Sequence, residues 1–231
     1  MKKFIVVLAV LLVMMSTAAF ADTVTFSTAA GAKEAGGNPV SATATVTIGN
    51  GTVTVVLTNL IVNPTTVAQN VSDFQFTLSS GQTTGSITSV SGVERTVASG
   101  GAYSDSAYTL LSQAASGWSG GSGLHFTALG GGQPFNTIIG APNGSNVYGS
   151  AGGSIAGNGP HNPFLAGPVT FVLSVPGVTA DSKITGFTFS FGTTAGNDVP
   201  GGGQTPEPAS MFLLGTGLVG LGGAIRKKIC L

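Results

Sequence analysis

Gly117-Trp118-Ser119-Gly120-Gly121 has the G-x-S-x-G spacing with which acyl-transfer enzymes present a serine nucleophile. That chemistry needs a strand-turn-helix setting, with an acid and then a histidine following in the chain. No helical period follows Ser119, and no Asp or Glu lies between it and His161. In a chain with 37 glycines the pentapeptide reads as a by-product of composition, and no catalytic residue is assigned. His125 and His161 are the only histidines, and Cys230 is the only cysteine. Transition metals want several such ligands converging, so the sequence assigns no metal and no cofactor. Glycoside hydrolysis needs two carboxylates across a cleft. Asp73, Glu94, Asp105 and Asp198 are available, but no spacing selects a pair. Trp118, Tyr103, Tyr108 and Tyr148 carry aromatic faces that can stack on sugars or other planar ligands.

The elements that would position these residues alternate with a period of two. Ala42, Ala44, Val46 and Ile48 interleave with threonines, Asn50-Gly51 follows, and Val53, Val55 and Leu57 resume the pattern. A two-residue turn there pairs Ile48 with Val53, Val46 with Val55 and Ala44 with Leu57, all on one face. Further strands are expected at Asp73 to Ser79, Leu124 to Leu129, Val169 to Val175 and Phe187 to Phe191, with a bulge at Gly186. Weaker ones are expected at Val24 to Ser27, Ile87 to Val90, Tyr108 to Leu111 and Ile138 to Ile139. Short alternating strands split by Gly, Pro, Asn and Ser predict an all-β fold over residues 22–200. The expected form is an antiparallel β-sandwich, Ig-like or jelly-roll-like. A β-solenoid would need a fixed repeat, and none is present. Residues 117–159 hold fourteen glycines in 43 positions and read as a long excursion from the sandwich.

Both ends read as addresses. Lys2 and Lys3 precede an apolar run from Phe4 to Met15, and Ala19-Phe20-Ala21 supplies the small-x-small pattern of a signal-peptidase site. Residues 1–21 are thus an expected signal peptide, leaving Asp22 as the mature N-terminus. At the other end, residues 201–204 read as a glycine-rich spacer and 205–231 as a tail. An apolar stretch over 209–225 predicts a transmembrane helix, closed by Arg226-Lys227-Lys228 as a membrane stop on the cytoplasmic side. Between the ends the body keeps Lys33, Arg95 and Lys183 against seven acidic residues, a net charge of about −4. It has no basic footprint, so nucleic acid is not an expected partner. With no cysteine in the body, no disulfide can staple it.

Pro206-Glu207-Pro208, the apolar run after it and the terminal basic cluster stand in the order of a known signal. The tail resembles the PEP-CTERM sorting signal of Gram-negative bacteria. That resemblance implies recognition by an exosortase, a membrane peptidase that cuts near the Pro-Glu-Pro. It also implies secretion machinery and signal peptidase as earlier partners and a transient inner-membrane intermediate facing the periplasm. The destination it implies is the cell surface or extracellular matrix, in a biofilm or exopolysaccharide setting. The expected function is therefore an exported surface or matrix protein with no catalytic activity. The alternative is a carbohydrate-binding or carbohydrate-modifying sandwich acting on extracellular polysaccharide, with Trp118, Tyr148 and His161 as ligand contacts.

Overall fold

Alternation of apolar and hydroxyl residues builds a wall with one dry and one wet face. The structure, a computed structural model, describes residues 23–120, 123–130, 133–149 and 154–206. In chain order these form β1 (Thr23–Thr28), β2 (Ala42–Gly49), β3 (Thr52–Asn59), a 3-10 turn (Val67–Gln69), β4 (Val71–Leu78) and β5 (Ser86–Val97). There follow β6 (Tyr103–Asp105), β7 (Thr109–Leu111), one helical turn α1 (Gln113–Ser116), β8 (Ser119–Gly120), β9 (Leu124–Thr127) and β10 (Ile138–Ile139). A second 3-10 turn (Gly159–His161), β11 (Phe164–Ser174), β12 (Ile184–Phe191) and β13 (Asp198–Pro206) complete the order.

The β2–β3 hairpin has the register its sequence demands, with Ile48, Val46 and Ala44 opposite Val53, Val55 and Leu57. Its turn is not the mirror-image type expected of Asn-Gly, because only Gly51 takes a positive φ, 74°. The turn is held from outside instead: Gly51 N–H donates to Val178 O, and Val175 N–H donates to Gly51 O, each at 2.9 Å. The register shift expected near Gly186 is present between Ile184 and Gly186, opposite β4.

Neighbouring strands run β11-β3-β2-β1-β13-β12-β4, and β10 joins β4 back to β11. Eight strands therefore close into a barrel. β5 extends from β11, carrying β6 and β7, while β9 extends from β4, carrying β8. This corrects the expected sandwich. The strands alternate as read, but the sheet curls shut instead of stacking as two open layers. Closure depends on β10, which is parallel to β11 through Ile138↔Leu165 and Ile139↔Ala166 and antiparallel to β4 through Ile138↔Val71. Periodicity shows which face of a strand is buried, but not whether a sheet meets its own edge.

The expected membrane helix at 209–225 gains no support. It lies outside the described residues, and among those no helix is long and apolar enough to cross a membrane. The expected signal peptide also lies outside them. Residues 201–204, expected as a spacer, belong to β13.

Phe74, Phe126, Phe171, Phe189 and Trp118 fill the barrel, with neighbouring ring centroids 4.8–5.9 Å apart in tilted or edge contacts. Each such side chain contributes roughly 1.5–3 kcal/mol on burial. The seam beside β10 is polar by contrast. Asn59, Gln69, Asn70, Ser72, Asn136 and Thr137 are all buried there. Asn59, the last residue of β3, donates from Nδ2 to Gln69 O and to Ile138 O, both at 2.9 Å, and accepts from Ile61 N–H at 3.0 Å. Asn59→Ala removes all three bonds and leaves two carbonyls dry. It should cost about 3 kcal/mol, measured as a lowered urea midpoint with unchanged slope.

Candidate functional site

The G-x-S-x-G serine does not sit on an elbow. Ser119 begins β8, a two-residue strand antiparallel to β9. Trp118 points into the barrel and is 1% exposed. Its indole N–H donates to Asn136 O at 2.9 Å, and its ring lies 4.8 Å from Phe171. Tyr148 is 3% exposed and belongs to a second, smaller core with Val97, Ile139, Ile155 and Phe164. His161, in the second 3-10 turn, holds Pro134 O through Nδ1 at 2.6 Å. The three expected ligand contacts are therefore not one site. Trp118 and Tyr148 are both buried, in separate cores.

Two constellations that sequence reading did not assemble are present. In the first, four strands place Asp198, Ser190, Asp73 and Thr127 in one cross-strand row, through Ser190↔Asp198, Ser190↔Asp73 and Asp73↔Thr127. His125 Nε2 binds Asp73 Oδ2, and Ser190 Oγ donates to Asp198 Oδ1 at 2.5 Å. Burial pushes the Asp73 carboxyl above its ordinary value. The hydrogen bond and charge of His125 oppose that shift, and the charge of Asp198 adds to it. A serine relay needs hydroxyl, imidazole and carboxylate in series. Here the hydroxyl is turned to one carboxylate and the imidazole to another, so the row consists of two hydrogen-bonded pairs side by side, one joining β4 to β9 and one joining β12 to β13. Among the described residues no group of three or more His, Cys, Asp or Glu side chains is placed to share a metal ion.

The second constellation centres on Arg95 of β5. Antiparallel pairing of β5 with β6 sets Arg95 opposite Asp105. Its Nε and Nη2 donate to the two Asp105 oxygens at 2.7 and 2.6 Å, the planar two-point geometry that favours arginine. Nη1 donates to Tyr148 Oη at 2.9 Å, which donates onward to Gly140 O at 2.8 Å. The guanidinium also lies 4.0 Å over the Tyr103 ring. The Asp105 hydrogen bond raises the Arg95 pKa further, against the effect of burial and with help from Tyr148. Burial raises the Tyr148 pKa, and the Arg95 hydrogen bond opposes that rise.

Beside this pair opens a cleft of about 200 Å³, walled by Val93, Ala166, Pro168 and Tyr108 with Arg95 and Asp105. Tyr108 is 58% exposed and Asp105 keeps a third of its side chain in solvent. This is the candidate binding site: an exposed aromatic face next to a fixed polar fork.

Comparison with known proteins bears on the tail alone. Residues 204–228 match the PEP-CTERM protein-sorting motif. No curated protein and no solved structure matches the chain. The motif marks an exported protein with an exosortase as its processing partner.

The raised Asp73 pKa has a signed consequence. A carboxyl whose folded pKa exceeds its unfolded one supports the fold below the unfolded pKa and loses that contribution as pH rises through the folded value. Asp73→Asn should therefore raise the melting temperature at pH 7, with the gain shrinking toward zero near pH 3. Circular dichroism melts across that range check it.

Proposed function

We propose that the protein is a non-catalytic component of the cell surface or extracellular matrix of a Gram-negative bacterium. On this reading a barrel is delivered outside the cell, and residues 204–228 are the segment that an exosortase reads. The carrying observation is the motif match, which contains Pro206-Glu207-Pro208. The body supports it. Its interior is occupied by aromatic side chains, so a ligand has to meet the outer wall. That wall is dressed with neutral hydroxyls, including the cross-strand bonds Thr23–Thr47 and Thr25–Thr45, each 2.9 Å between oxygens. Such a surface is wettable without net charge. Expressed in a host with an exosortase, the extracellular protein should begin at Asp22 and lack Cys230. Intact-mass measurement checks both ends, and Cys230 found on extracellular protein contradicts the processing.

A second reading is favoured by one observation, the cleft at Tyr108. A pyranose has an apolar face that stacks on an exposed ring and hydroxyls that a carboxylate–guanidinium fork can satisfy. The cleft is the size of a single ring, below the roughly 300–1,000 Å³ of drug-sized sites. On a glycan array the processed protein should bind, and Tyr108→Ala should lose at least about tenfold in affinity, equivalent to about 1.4 kcal/mol. Binding unchanged by that substitution places the sugar elsewhere.

A further inference from the structure

The ladder between β1 and β13 runs Ser27↔Gly203, Phe26↔Gln204, Thr25↔Thr205 and Val24↔Pro206. Pro206, the first proline of the sorting motif, is thus part of the barrel wall, and Glu207 is the next residue in the chain. A peptidase encloses a length of extended chain on both sides of the bond it cuts, and it holds that chain through main-chain groups. Main-chain groups already bonded to β1 are not free for it. No length of chain separates the folded body from the motif.

We propose that residues 204–206 form a strap that must unpair from β1 before the processing peptidase can engage. The pole of the barrel where β1 begins and β13 ends is then the surface that meets this peptidase. The proposal rests on the reading of the tail given above.

Local chemistry hinges the strap at Gly203. Gly201 is locked, because a Cβ there would lie 2.0 Å from the Phe187 ring. Gly202 is locked as well, since its Cβ would lie 2.5 Å from Ala29 Cα. At Gly203 a Cβ would meet nothing within 4 Å. The register shifts between Ser27 and Thr28, so regular pairing breaks just before the strap begins. On its other edge β13 pairs with β12 only from Asp198 to Pro200 among the described residues. Pro206 has no N–H to give the ladder. A strand end with one paired edge, a glycine pivot and a terminal proline opens at little cost. Releasing three residues at about 3.4 Å each frees about 10 Å of chain.

The test ties the strap down. Thr25 and Thr205 are Cα partners in adjacent antiparallel strands, a separation that a disulfide can bridge. The full chain carrying Thr25→Cys, Thr205→Cys and Cys230→Ser is expressed in an exosortase-bearing host beside its Cys230→Ser parent. Oxidised, the doubly substituted chain should accumulate unprocessed. Reduced, it should be processed as the parent is. Processing of the cross-linked chain at the parent rate overturns the strap. A parent that is never processed overturns instead the reading of the tail. Should the cross-linked chain not fold, a Gly-Ser-Gly-Ser insertion after Gly203 replaces it. That insertion supplies free chain and should shorten the processing half-time, and an unchanged or longer half-time overturns the strap.

Discussion

One side-chain amide holds the place where the sheet meets itself. β11 pairs with β3 along Val169–Ser174 and with β10 at Leu165 and Ala166. Between these stretches the wall changes partner, and main-chain groups are left over. Asn59 Nδ2 takes the Ile138 and Gln69 carbonyls together, so the end of β3, the first 3-10 turn and β10 share one donor group. Backbone crowding adds to the constraint: a Cβ at Gly140 would sit 1.8 Å from Ile61 O. A dry carbonyl is costly and a glycine contact allows no slack. The barrel's topology is therefore specified by a few polar groups at the seam, while its stability comes from the phenylalanines inside.

A comparable division holds on the outside. The Arg95 cluster ties the β5–β6 hairpin to the loop carrying Tyr148, with Tyr148 N–H also donating to Gly101 O at 2.9 Å. It turns a glycine-rich segment into a second core without drawing on the first. Glu34 performs a smaller version between β1 and β2. It accepts from Gly36 and Asn38 main-chain N–H, and Ala35 N–H donates to Asn197 on the β12–β13 loop. Burial would raise the Glu34 pKa, but those hydrogen bonds outweigh it and the carboxyl ends below its ordinary value. Three of the body's few charges, Glu34, Arg95 and Asp105, are thus placed where a loop has to be fixed.

Local pattern explains which of this was readable. The β2–β3 register and the Gly186 bulge follow from alternation and turn residues, because those signals lie within one segment. Ile138-Ile139 was readable as a weak strand, but its role was not, because two residues carry no period and their partners lie in β4 and β11. Trp118 read as a loop aromatic because glycines surround it. Phe126 and Phe171, which bury it, come from separate strands. His125, Asp73, Ser190 and Asp198 gave no signal, since their row exists only once four strands are in register. The Arg95–Asp105 pair did leave one: opposite charges stand either side of Gly100-Gly101, a turn that pairs them directly.

Because β1 and β13 are antiparallel neighbours, the body starts and stops at the same point on its circumference. The two ends stand about one strand spacing apart, about 4.8 Å. Topologically the polypeptide is a ring with a single gap, and that gap lies in the wall itself. A short peptide could seal it, and the chain could be opened instead at Asn50-Gly51, giving a circular permutant with the same eight-stranded barrel. Anything joined to either end starts from one pole of the barrel, where Val24 and Pro206 are paired.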